Sequence, residues 1–373
     1  MRLPALFPLL TLLGVAVVAY EPPSQKCKAV VWSGGNSIEW PSPATKAQYK
    51  SEGKYIGRNV IATRAVIHKD DAYLALPRYK SGVPFTLARI SLKGRNCRTS
   101  LSPFPRWSLH DEGNCAALQN VVDVFLDAQD ILWALDTGVV NSFEATANRT
   151  CPPKVVAVNA RSGKVVKYVD LSSLTNNESH LQYVIADYSY DGRVFAYVSD
   201  ASNRAILVFD VSSARGYRLI LPEHVALGST KRDVLYIGLV RRPDHANFLL
   251  LSYINSKHVY AIATSYLHSG EANARIDDLG PKLAKIVFLG TDNGSAVFYR
   301  REGESDVYRW DLMESPISHY MSIQRVYKGN NYALPTQVSV DLKRGRIRIL
   351  ESNFPDFFQG TVGCGVNHAL RLF

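Results

Sequence analysis

Nowhere in the 373 residues does a second Asp-Thr-Gly or Asp-Ser-Gly accompany Asp136-Thr137-Gly138. A single-chain aspartic protease needs two carboxylates that share one proton. A dimeric enzyme of that type has a far shorter subunit, so the lone triplet argues against a protease. The nine histidines show no HExxH or HxH spacing, and the five cysteines no CxxC pair, so neither type offers a ready zinc site. No Gly-rich phosphate loop, calcium-binding loop or GxSxG elbow is present. Basic residues outnumber acidic ones 43 to 33 but are scattered in ones and twos. That dispersal gives no nucleic-acid footprint and reads as a solvated surface, with anionic glycans as a candidate partner. Long apolar stripes of helical period are scarce, and beyond the N-terminus no run is apolar enough for a membrane span.

What is present begins with "MRLPALFPLLTLLGVAVVA". One basic residue, an apolar run and small residues at Val17 and Ala19 predict a signal peptide over 1–19, cleaved after Ala19. The chain is therefore expected to be secreted and extracellular, with disulfides. Five cysteines leave at least one thiol over. Three Asn-x-Ser/Thr sequons, at Asn148, Asn177 and Asn293, lie in polar breaks where glycans can be carried.

The remaining residues, 20–373, read as one all-β domain. Short runs rich in Val, Ile, Leu, Tyr and Phe alternate with Gly, Asn, Asp and Ser breaks. Six strand pairs recur, their first members centred near Leu74, Trp133, Ala196, Leu250, Phe298 and Arg348. A spacing of roughly 50–60 residues is the length of a four-stranded blade with its loops. Six such units predict a six-bladed β-propeller around a central channel, in preference to a two-sheet sandwich. In this frame Asp136 ends an inner strand, where Asp200 and Ser352 stand in other repeats, and Asp-x-Gly is turn chemistry. His258 and His368 read as strand or turn residues. The pairs Asp70-Asp71 and Asp277-Asp278 read as solvated loops. Asp136, Asp200 and Asn353 are thin candidates for a channel metal, and no metal or cofactor is expected.

"LALPRYKSGVPFTLARI" (74–90), "CRTSLSPFPRW" (97–107), "LQNVVDVFLDAQDILWALDTGVV" (118–140), "CPPKVVAVNARSGKVV" (151–166) and "ESNFPDFFQGTV" (351–362) together resemble the yellow/major royal jelly protein family. "SIEWPSPATKAQYKSEGKYIGRNV" (37–60) resembles its N-terminal segment. The resemblance implies a secreted six-bladed propeller and a Cys97–Cys115 disulfide. Cys151 is left without its mate, because Gln129 stands where the partner is expected. Pairing of terminal strands suggests a Cys27–Cys364 bridge. The resemblance also implies a small aromatic amine or catechol ligand at one channel mouth. Thr336, Asn353 and Phe354 are its candidate contacts: neutral oxygens for an ammonium and a ring face for stacking. The roles it carries are pigmentation or cuticle, development, or salivary amine scavenging. The alternative is a dopachrome-converting tautomerase or decarboxylase of melanin synthesis, which needs an acid/base near the ring. No clear acid/base pair is visible, so binding is favoured over turnover.

Overall fold

The computed structural model describes residues 27–373 apart from 94, 243–245, 271–273, 283, 313–323 and 331. The expected signal peptide lies outside the described residues. Among the described residues no helix is long and apolar enough to cross a membrane.

Among the described residues the strands form six four-stranded antiparallel sheets and one two-stranded ribbon, Val139–Val140 with Asn148–Arg149. From the channel outward, blade I holds Arg64–His68, Asp71–Ala75, Leu87–Ser91 and Ser102–Pro103, and blade II holds Val121–Leu126, Ile131–Asp136, Lys154–Asn159 and Val165–Asp170. Blade III is Leu181–Tyr188, Val194–Asp200, Ala205–Asp210 and Arg215–Ile220. Blade IV is Leu235–Arg241, Asn247–Tyr253, His258–Ala263 and Asp277–Pro281. Blade V is Ile286–Thr291, Ala296–Arg301, Val307–Asp311 and Gln324–Tyr327. Blade VI takes Leu334–Asp341, Arg346–Ser352 and Asn367–Leu372 from the C-terminal end of the chain, and its outermost strand, Ala29–Ser33, from the N-terminal part. That exchange closes the ring with ladder hydrogen bonds, as the sequence predicts, and protects the sheet edge.

The strands that stood out in the sequence are the second of each blade, not the innermost. They are sandwiched between neighbouring blades, so both faces are apolar: Leu132, Ala134 and Leu135 are fully buried. The first strands line the channel and carry mixed side chains.

Second strands end on groups that tie back to the start of their own blade. Asp136 is fully buried and accepts N–H bonds from Gln119 (2.8 Å), Asn120 (2.8 Å) and Gly138 (3.0 Å), with the Lys154 ammonium at 2.9 Å. Asp200 repeats the device with the His180 N–H at 3.0 Å and the Asn203 amide at 2.8 Å. Both carboxylates are thus occupied inside the blades, away from the channel. Gly138 has φ +68°, and a Cβ there would lie 2.0 Å from the Cys151 carbonyl, so only glycine fits this turn. Asp70 is not simply solvated. It gathers Lys93, Lys343 and Arg344 across the blade I–VI seam.

The cysteine pairing departs from expectation. Cys27 bonds Cys97, Cys115 bonds Cys151, and Cys364 is free and exposed. Neither Cys97–Cys115 nor Cys27–Cys364 forms. The terminal strands do pair, but antiparallel, with Ala29 opposite Arg371 and Ser33 opposite Asn367. Cys27 therefore lies at one end of the pair and Cys364 beyond the other, roughly 20 Å apart at the rise of extended chain. Arg98 instead bridges to Val31 in parallel, which draws Cys97 to the outer edge near Cys27. Cys151 precedes Lys154, which registers with Asp136, whereas Gln129 precedes Ile131 at the far end of the same ladder. A cysteine at 129 would not reach it. Lys154 donates to the Cys115 carbonyl at 3.2 Å, holding that turn over Cys151.

Candidate functional site

The first strands all begin at one end of the channel, here the upper mouth, and end at the lower. Partway along, the channel is closed by a waist built on Arg64. Its Nη1 donates to the Thr336 carbonyl (2.6 Å), its Nη2 to the Tyr183 hydroxyl (2.6 Å), and its Nε faces Asp123 at 3.4 Å. The guanidinium also sits 4.7 Å from the Tyr183 ring centre, and Tyr183 contacts Tyr236 at 5.4 Å. Arg64, Tyr183 and Tyr236 line the cavities on both sides of this waist.

Burial sets the electrostatics here. It pushes the Asp123 carboxyl up to about 6, against the pull of Arg64 and of the Val184 N–H. Burial also raises the Tyr183 phenol far above its usual range and the Tyr236 phenol to about 12, so both stay un-ionised, and Tyr183 accepts from Arg64 as a neutral hydroxyl. Burial works against the charge of Arg64, but Tyr183 and Asp123 outweigh it and hold its pKa up.

The upper cavity has a volume of about 720 Å³. Its rim is aromatic: Tyr79 stacks on Phe143 at 4.1 Å, and Phe143 meets Phe358 edge-on at 5.6 Å. Phe143 and Phe358 are 41% and 62% exposed, an uncovered aromatic surface at a cavity mouth. The polar lining is cationic or neutral. Arg64, Arg149, Lys231, Arg232 and Arg300 line it, and among its described lining residues there is no Asp or Glu. Arg149 and Lys231 are engaged at the rim, with the Asn177 carbonyl (2.6 Å) and with Glu178. Arg300 is anchored by the Pro335 carbonyl at 3.0 Å, and burial lowers its pKa. His180 is exposed at the rim, and the protein packed around it lowers its pKa.

Of the three expected ligand contacts, the structure brings two together. Thr336 and Phe354 both line the upper cavity. The Thr336 hydroxyl has no protein partner among the described residues and lies buried within the cavity wall rather than open to the cavity. Asn353 lies instead on the outer side of blade VI. Its Oδ1 accepts the Asn367 N–H at 2.9 Å, and its Nδ2 donates to Asp356 at 3.1 Å. It joins the start of the helix Phe354–Gln359 to the last strand. Asn353→Ala is therefore expected to lower the melting temperature, by loss of about 1 kcal/mol, and to leave ligand affinity at the upper mouth unchanged in titration.

Arg64, Tyr79, Phe143, Tyr183, Tyr236 and Arg300 escape the sequence reading. The available signal was an Arg or Tyr among the first residues of the weaker apolar runs "TRAVIH", "LQYVIAD" and "LYIGLV". His258 and His368 lie in strands as expected, and His258 meets Asp278 at 2.7 Å. The sequons are exposed at Asn148, Asn177 and Asn293.

Among known proteins, the chain is similar to a dopaminechrome tautomerase of Drosophila melanogaster, with 27% identity over 172 residues, 45% of this chain and 37% of that protein. It is similar to major royal jelly protein 5 of Apis mellifera, with 25% identity over 256 residues, 60% and 42% of the two chains. In both cases the match spans less than half the relative's length. A solved calcium-binding regucalcin from Agrobacterium tumefaciens aligns at 10% identity and a TM-score of 0.48, covering 84% of this chain and 90% of that one. The family model described as "Major royal jelly protein" matches residues 119–368. That stretch holds Asp123, Tyr183, Tyr236, Thr336 and Phe354, and it covers well over half of the chain, which therefore belongs to the major royal jelly protein family.

Proposed function

We propose that the chain is a secreted protein that binds a small aromatic molecule bearing ring oxygens, a catechol or quinone derivative, in the upper cavity. The observation that carries this reading is the combination of an aromatic rim and a cationic lining with no carboxylate among its described residues, with the unpaired Thr336 hydroxyl just behind the wall. Catechol oxygens accept from guanidinium and hydroxyl donors, and the ring stacks on Phe354 or the exposed Phe143. An aromatic amine gains the same ring contacts and the Thr336 oxygen. Its ammonium, however, meets Arg300 and, at the waist, an Arg64 whose charge Asp123 already balances, with no carboxylate among the described residues of the cavity lining to receive it. The lining therefore favours the oxygen-bearing ring over the free amine. In this reading the two disulfides belong to an oxidising compartment, and Asn148, Asn177 and Asn293 are glycan acceptors.

Turnover is the second reading. His180, at the mouth and with its pKa lowered by partial burial, is placed to move a proton on a bound aminochrome. The similarity to a dopaminechrome tautomerase supports it.

Calorimetric titration with 4-methylcatechol, dopamine and serotonin tests the binding reading. 4-Methylcatechol, which has no ammonium, is expected to bind at least as well as serotonin. Thr336→Val is expected to weaken it by about 1 kcal/mol, through loss of one hydrogen bond, without a change in melting temperature. Binding of serotonin but not of 4-methylcatechol would reverse the preference. An absorbance assay on dopaminechrome with wild type and His180→Gln decides whether there is turnover.

A further inference from the structure

Below the waist the channel opens into a second cavity of about 380 Å³. Its walls are largely apolar, with Val66, Phe125, Ile185, Ile237, Phe288 and Val338 among the lining. Most of its polar groups are already engaged. Asp127 accepts from the Gln129 N–H (2.8 Å), the Ile131 N–H (2.9 Å), the Trp133 indole (2.8 Å) and the Tyr188 hydroxyl (2.6 Å). Gln337 accepts the Ala65 N–H at 2.6 Å, and Ser339 donates to the Ala65 carbonyl. The Arg241 guanidinium donates to the Asn293 carbonyl, at 3.4 Å on the rim.

Asp123 is different. It is 6% exposed and sits where the waist meets this cavity. One carboxyl oxygen accepts the Val184 N–H at 2.8 Å, the other faces Arg64 Nε only at 3.4 Å, and the Val124 N–H also points to the carboxyl group. A carboxylate accepts up to about four bonds, so Asp123 keeps room for one more donor. The pair with Arg64 is already neutral overall. A neutral donor completes it, whereas an added ammonium would place a second cation beside Arg64.

We propose that this lower cavity is a second ligand site, for a small hydrocarbon-rich alcohol whose hydroxyl donates to Asp123 and whose apolar body fills the space below the waist. The site is independent of the catechol reading, because it lies on the other side of Arg64, Tyr183 and Tyr236. Gly238 supplies a clean test. It lines the cavity, and a Cβ there would meet only the Thr291 methyl, at 3.6 Å. A larger side chain can thus enter the cavity without pressing on backbone.

The experiment is calorimetric titration of the full chain with 1-octanol and, under the same conditions, 1-methoxyheptane, which lacks the donor. Octanol is expected to bind at least fivefold more tightly than the ether. Gly238→Phe is expected to weaken octanol at least tenfold while leaving 4-methylcatechol binding and the circular dichroism spectrum as in wild type. Asp123→Asn, which keeps an acceptor but loses the charge, is expected to weaken octanol and leave the ether unchanged. Equal binding of octanol and ether would overturn the role of Asp123. No octanol binding, or binding that survives in a folded Gly238→Phe protein, would overturn the site. Loss of catechol binding with octanol retained would remove the upper-cavity reading alone.

Discussion

Replacing Arg78 with methionine is expected to destabilise the protein by roughly 3–5 kcal/mol, the cost of leaving buried acceptors without their donor. Arg78 follows the second strand of blade I and is 2% exposed. Its Nε donates to the Val83 carbonyl at 3.0 Å. Nη1 reaches Gln119 (2.7 Å) and Leu118 (3.2 Å), and Nη2 reaches His110 (2.7 Å) and Pro84 (3.3 Å). Glu112 stands 3.6 Å away as counter-charge. One guanidinium thus gathers five carbonyls from the loop inside blade I and from the segment that leads into blade II. Burial lowers its pKa, but the carbonyls solvate the cation in place of water. Methionine fills much of the volume and provides no donor. Lysine has three donors on one nitrogen and cannot span the same fan, so Arg78→Lys should recover less than half of the loss. Urea unfolding followed by tryptophan fluorescence measures both. A cost below about 1 kcal/mol for the methionine variant would show that water replaces the guanidinium, and the role assigned to Arg78 would fall.

Arg78 also shows what a sequence reveals and hides. The six-bladed plan was legible because the second strand of each blade is packed on both faces, so runs such as "ILWALD" and "VFAYVSD" are unbroken and apolar. The channel strands face water or ligand on one side and carry Arg64, Asp123, Tyr183 and Tyr236. Their apolar pattern is weaker, and the residues that build the waist lie there. Thr336 and Phe354 were found through the resemblance to a family. Asn353 was misplaced because a single residue at a strand end turns its side chain outward rather than into the channel. The disulfides were misread for a reason of direction. Pairing of the terminal strands was foreseen, but an antiparallel ladder sends Cys27 and Cys364 to opposite ends, and composition does not encode that register.

Acid is expected to weaken the ring at blade I, through two histidines that are neutral in the fold. His368 in blade VI is buried, stacks on Trp32 at 5.0 Å, and accepts the Ala62 N–H on Nε2 at 2.9 Å, just before the first strand of blade I. His110 is buried beside Arg78, accepts the Thr86 N–H on Nδ1 at 3.4 Å, and meets the Phe104 carbonyl through Nε2 at 3.0 Å. Burial pushes both down to about 3. Protonation would turn each accepting nitrogen into a donor facing a donor. A base whose folded pKa is depressed holds fewer protons in the folded than in the unfolded state. Stability is therefore full above the unfolded value near 6.5 and is lost as pH falls from there toward 3. Asp123 acts in the opposite sense. Its folded value of about 6 lies above that of a free carboxyl, so its contribution is present at low pH and is lost as pH rises through 6. Two histidines displaced by about three units outweigh one carboxyl displaced by about two. A net loss of roughly 4 kcal/mol between pH 6.5 and 4 follows at 1.36 kcal/mol per unit. Urea midpoints taken at half-unit steps across that range should show it. His368→Gln keeps an oxygen acceptor for the Ala62 N–H and cannot titrate, so it should remove about 3 kcal/mol of the acid limb, most of the net loss, because Asp123 then offsets nearly all that the remaining histidine costs. Asp123→Asn should steepen it, because the opposing proton uptake is gone. A limb that His368→Gln leaves unchanged, or one that begins only below pH 4, would mean that carboxylates such as Asp70, held well below the usual range by Lys343 and Lys93, govern acid unfolding instead.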